Sequence, residues 1–121
     1  MEKTLRDDKI ESIIGIVKYD RKLIDGATYL AESLSTGQEQ LPNQLLDNIT
    51  QGVNWTVAVL NQVMDVMNEK DEQIDKIFIN DALMDFQGAL SEGNEIRLAE
   101  ALRGSLVPAL DQICVVGEQF A

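Results

Sequence analysis

Residues 83–102 read LMDFQGALSEGNEIRLAEAL, and this stretch decides the fold. Leu83, Phe86, Ala89 and Leu90 recur at helical spacing. The pattern breaks at Ser91-Glu92-Gly93-Asn94 and resumes with Leu98 and Leu102. Glycine has no Cβ to oppose a left-handed backbone, so Gly93 suits the residue that ends a helix. Asn94 can accept a hydrogen bond from the free amides that open the next one. So short a turn sends the second helix back along the first, and the two are expected to lie antiparallel.

The same periodicity runs outward from this hairpin. Nowhere does a sustained alternation of apolar and polar residues point to a strand. The first helix is expected from Leu5 to Leu34, with an apolar stripe of Ile10, Ile13, Ile14, Val17, Ile24, Ala27, Ala31 and Leu34. Its spacing, near 3.5 residues rather than 3.6, implies a left-handed supercoil. Asp20 and Arg21 fall near the middle of that stripe. The commoner outcome for such residues is an exposed or snorkelling pair beside the seam. The alternative is a buried polar layer that fixes helix register.

Ser35, Thr36 and Gly37 break the pattern, and Leu41-Pro42 follows. Gly37 suits a left-handed helix end, and Pro42 suits a first helical turn. The second helix is expected from Pro42 to Met67, facing inward with Leu45, Leu46, Ile49, Val53, Val57, Leu60, Val63, Met64 and Met67. Trp55, Val59 and Val66 make a second strip beside that face, so the apolar arc is wider than a surface helix needs. After the polar turn 68–71, Asp71 is the expected N-cap of a third helix from Glu72 to Leu90. Its core face is Phe78, Ile79, Ala82, Leu83, Phe86, Ala89 and Leu90. The fourth helix is expected from Glu95 to Gln119, with Leu98, Leu102, Leu106, Ala109, Ile113, Val116 and Phe120 inward. Pro108 lacks an amide donor and crowds the carbonyl of Gly104, so a kink is expected there.

Composition excludes most chemistry. The 121 residues include no histidine, which removes the commonest general base and the commonest transition-metal ligand. No Ser-His or Cys-His pair and no Glu-x-x-His di-iron motif can be written, and the glycines form no phosphate-binding loop. The single cysteine, Cys114, sits in an apolar helical stretch and reads as an inert structural thiol that cannot form an internal disulfide. Asp71, Asp75, Asp81 and Asp85 contain two i, i+4 pairs, a spacing that a hydrated acidic strip shows far more often than a cation site. The net charge is −11. Residues 1–22 sum to +1 and residues 23–121 to −12. That balance argues against nucleic acid and anionic membranes as partners. No apolar run is long enough to span a bilayer, and the charged start of the chain has no signal-like segment. A cytoplasmic location is the expectation.

What remains is an apolar surplus. Trp55, Val59, Val66, Ile77, Met84, Ile96, Val107 and Val115 lie off the main stripes. They denote either a wide core or a surface that another protein covers. The hairpin also resembles the FliS-type flagellar export chaperones. The resemblance is carried by the apolar helix end Ala89-Leu90, the small polar turn Gly93-Asn94, and then Leu98, Ala101 and Leu102. That family consists of small, acidic, four-helix cytoplasmic proteins that wrap the helical end of flagellin, so the resemblance implies a bundle that binds a partner's helices. The family's tyrosine-rich N-terminal segment is not matched, because Tyr19 and Tyr29 fall inside the first helix. No binding residue is carried over.

The sequence thus reads as one all-α domain over residues 1–121, an antiparallel up-down-up-down four-helix bundle without enzyme activity, cofactor or metal. Its expected role is a protein-interaction module, a chaperone or adaptor for a bacterial export or motility system. It would bury a partner's apolar helical face on Trp55, Val59, Val66, Ile77, Met84, Val107 and Val115. The alternative is a self-assembling structural homodimer whose apolar strips close on each other.

Overall fold

The computed structural model describes residues 4–36, 43–71 and 73–120. The chain is all-helical, with no strand among the described residues. Helix α1 spans Leu5–Ser35, α2 Asn43–Met67 and α3 Lys76–Glu92. The fourth helix begins as α4 (Glu95–Ala101), passes through a π turn (Leu102–Leu106) and continues as α5 (Val107–Gly117), with a closing 3-10 turn at Glu118–Phe120. The expected Gly37 and Pro42 signals lie outside the described residues. No helix among the described residues is long and apolar enough to cross a membrane.

Helix α1 starts where its caps dictate. Thr4 Oγ1 accepts from the Asp7 amide, and the Asp7 carboxylate accepts from the Thr4 amide, so two otherwise orphaned donors are satisfied reciprocally. Its buried seam is Ile13, Ile16, Asp20, Leu23, Ala27, Leu30 and Leu34. These residues alternate steps of three and four, the 3.5-residue repeat of coiled-coil packing. The repeat length agrees with the expectation, but the face is rotated from it. Ile16, Leu23 and Leu30 are inside, whereas Ile14, Val17 and Ile24 sit at its edge. Apolar residues on both flanks make the stripe ambiguous, and the positions of α2 and α5 settle it.

Side-chain pairings fix the neighbours of α1. Arg6 meets Glu69, Lys9 meets Asp65 and Asp20 meets Thr56, so positions on α2 fall as those on α1 rise. Against the fourth helix, Val17 meets Cys114 and Arg21 meets Asp111 and Glu118, and Ser35 meets Arg103. Two glycines permit the close approach. A Cβ on Gly52 would lie 2.6 Å from the Tyr19 hydroxyl and 3.0 Å from Leu23 Cδ1. A Cβ on Gly117 would lie 2.5 Å from Val17 Cγ2.

The start of α3 corrects the expectation. The N-cap is Asp75 rather than Asp71: its Oδ1 accepts from the amides of Ile77 and Phe78 at 3.0 and 3.1 Å. The preceding residues are held by a competing device. Asn68 Oδ1 accepts from the amides of Gln73 and Ile74 at 3.0 and 2.8 Å, and Ile74 is fully buried. An amide side chain that satisfies two backbone donors gives the chain an alternative to an early helix turn. Phe78, expected in the core, is exposed at 38 %.

The two caps of the deciding turn form as read. Gly93 is left-handed, with φ 67°, and Asn94 accepts from the Arg97 amide at 3.1 Å. Downstream, where a kink is expected at Pro108, the helix carries a π turn just before it. The Val107 amide reaches back five residues to the Leu102 carbonyl, and Pro108 sits in the first turn of α5, where its missing donor costs little.

The core has two clusters. One joins Leu23, Leu30, Ile49, Val53, Phe86, Leu102 and Leu110. The other joins Ile13, Ile16, Leu60, Val63, Ile74, Ile79, Ile113 and Val116. Asp20 and Thr56 occupy the seam level between them. The buried reading of Asp20 therefore holds, and the exposed-pair reading does not. Arg21 faces outward alone, to Asp111 and Glu118.

Candidate interaction surface

Helix α2 packs on α1, and α3 packs on the fourth helix. Between α2 and α3 the structure leaves a cleft of about 690 Å³. Its floor is apolar: Val57, Leu60 and Met64 from α2, and Ile79 and Leu83 from α3. Asn61, Asn68 and Asn80 supply amides along its rim, together with Asp65 and Lys76. The volume lies within the range typical of ligand and peptide-side-chain pockets, roughly 300–1,000 Å³. The rim charge is subdued. Asp65 is paired with Lys9 at 2.8 Å, and the ammonium holds its carboxyl below the usual range.

The seven residues singled out from sequence scatter around the molecule, and none of them lines this cleft. Val66 is a correction: it is buried in the second core cluster with Leu60, Val63 and Met67, so it belongs to the wide core. Val59 and Val107 are half-buried and pack against the two clusters. Trp55 remains 44 % exposed and stands edge-on to Tyr19 with ring centroids 4.8 Å apart. Ile77 and Met84, 74 % and 62 % exposed, lie on α3, and Val115 and Ile96 are exposed on the fourth helix. The five apolar residues that do line the cleft belong to the core stripes that the sequence gives α2 and α3. The signal that could have revealed them is the width of the apolar arc on α2, which exceeds what one neighbouring helix can cover.

The carboxylates of α3 have structural work. Asp75 caps the helix, and Asp85 binds Arg97 and accepts from the Ser105 hydroxyl at 2.6 Å. The Arg97 guanidinium keeps the Asp85 carboxyl below its ordinary range. Among the described residues no three metal-ligating side chains come together. Cys114 is buried, and burial, followed by the nearby Asp20, pushes its thiol up to about 12, so it stays protonated and unreactive.

Residues 11–115 match the family described as Domain of unknown function (DUF8042), and the chain belongs to that family. No curated protein and no solved structure matches it.

Proposed function

We propose that the chain is a non-catalytic protein-interaction module. In this reading it is an antiparallel up-down-up-down four-helix bundle whose α2–α3 side is left open to take the apolar face of a partner's amphipathic helix. The cleft carries the reading. Val57, Leu60, Met64, Ile79 and Leu83 present one continuous apolar floor with a polar rim, the arrangement used for helix-in-groove recognition. The charge of −11 favours a basic partner helix. A chaperone or adaptor role in a bacterial export or motility system fits this mode and the hairpin resemblance. The absence of histidine, and with it of any Ser-His or Cys-His pair, supports a role without catalysis.

The test is titration of the labelled protein with a designed Leu/Lys amphipathic helix, followed by NMR. Shifts should concentrate at Val57, Met64 and Leu83, and Met64→Gln should weaken binding while leaving the circular dichroism spectrum unchanged. Shifts elsewhere, or none, overturn the cleft reading. The exposure of Ile77 and Met84 outside the cleft favours a second reading, self-association through α3. Sedimentation equilibrium addresses it: a dimer that Ile77→Ser dissociates supports it, and a monomer at all concentrations rejects it.

A further inference from the structure

Asp20 is the most unusual side chain in the molecule. It is fully buried, at a seam position where every other α1 residue is apolar. Its Oδ1 accepts from the Thr56 hydroxyl at 2.6 Å, and its Oδ2 has no hydrogen-bond partner. An ionised carboxylate calls for several donors, and a buried one with a single donor is poorly compensated. A neutral carboxyl is far better suited to this place.

Among the described residues, the surroundings offer no counter-charge. From α2 the facing group is the neutral Thr56 hydroxyl. From α5 it is Cys114, whose thiol is held protonated. On α1 itself, Arg21 is turned outward to Asp111 and Glu118, and Tyr19 packs edge-on against Trp55. Asp20 also sits between the two core clusters, in the seam that attaches α2 to α1. Helix α2 in turn forms one wall of the cleft.

We propose that Asp20 is a proton-operated latch on the α1–α2 seam. With its carboxyl protonated, α2 sits firmly on α1. With it ionised, the uncompensated charge loosens the seam and frees the α2 wall of the cleft to move away from α3. The latch stands whatever the cleft binds.

Burial pushes the carboxyl up from 3.8 to about 6, with the Thr56 bond opposing. The folded state therefore keeps a proton that the unfolded chain gives up. The resulting stabilisation is complete below pH 3.8 and is lost as pH rises through about 6. A gap of about two pKa units corresponds to a change of up to roughly 100-fold in the unfolding constant. The chain has no histidine, the side chain that ordinarily titrates between pH 5 and 8, and among the described residues burial places the Asp20 carboxyl in that window.

The experiment compares wild type with Asp20→Asn, which keeps the shape and the acceptor for Thr56 but carries no charge. Urea unfolding is measured at pH 4 and pH 7.5. At pH 7.5 the Asn variant should be the more stable by up to roughly 100-fold in the unfolding constant, and the gap should shrink toward nothing at pH 4. Amides between Val53 and Leu60 should exchange faster in wild type than in the variant at pH 7.5 and nearly equally at pH 4. A gap independent of pH, or a variant less stable at pH 7.5, overturns the latch. Should the variant not fold, the carboxyl carbon of Asp20 in wild type decides by NMR. A midpoint near 6 upholds the proposal, and one near the ordinary carboxylate value refutes it.

Discussion

Replacing Gly117 with alanine should destabilise the protein, although alanine is the better helix former. The added Cβ would lie 2.5 Å from Val17 Cγ2 and 3.3 Å from Ile13 Cγ2. Carbon atoms pack at about 3.5–4.0 Å, so the first contact is short by about 1 Å. Val17 is branched at Cβ and stiff at χ1, so the methyl cannot swing aside cheaply, and α1 and α5 must part instead. Forcing extra carbon into a packed interface costs about 1–3 kcal/mol. The gain in helix propensity, at most about 1 kcal/mol and less at the last residue of α5, does not offset this. Gly15 and Gly88 are internal controls. Both are helical, and a Cβ at either meets nothing within 4 Å, so alanine there should stabilise by about 0.5–1 kcal/mol. Urea unfolding followed by circular dichroism measures all three, and each kcal/mol should also move Tm by roughly 4 °C. Stabilisation by Gly117→Ala comparable to that of the two controls would falsify the close-approach argument.

Two further outcomes follow from the core and the loop. Phe86→Ala removes a nearly fully buried ring from the first core cluster and should cost about 3–5 kcal/mol in urea unfolding; a loss under about 1 kcal/mol would mean that the ring is not buried. Asn68→Ala strips the Gln73 and Ile74 amides of their acceptor and should cost about 1–3 kcal/mol, with faster amide exchange at both; unchanged protection there would refute the role of Asn68.

Features that depend on near neighbours were readable from sequence, and those that depend on distant ones were not. Gly93 and Asn94 act within a single turn, and both caps form as expected. The start of α3 was misplaced because Asn68, not the local Asp71, decides how residues 73 and 74 run. Asp20 read as an exposed residue because the hydroxyl that receives it is 36 residues away. The rotated seam of α1 has the same origin, since Ile14 and Ile16 are equally apolar and only the placed neighbours choose between them. The cleft was invisible for a different reason. Its apolar residues stand at correct helical spacing, and the wide arc on α2 shows a surplus to be covered without recording that α2 and α3 stand apart.

The π turn also bears on how the chain can change length. On the fourth helix the buried positions Leu98, Leu102, Leu106 and Leu110 follow one another at steps of four. In a plain α-helix each such step overshoots a full turn by about 40°, so three steps would carry the row about 120° around the axis and away from α1. The π turn takes up one residue more than an α turn and absorbs this drift, so that Ile113 and Val116 still face inward. The fourth helix therefore carries a spare residue. Within residues 102–106 the loss of one residue is a phase-neutral edit that straightens the helix, whereas the same loss inside α1 would rotate half of a seam out of register.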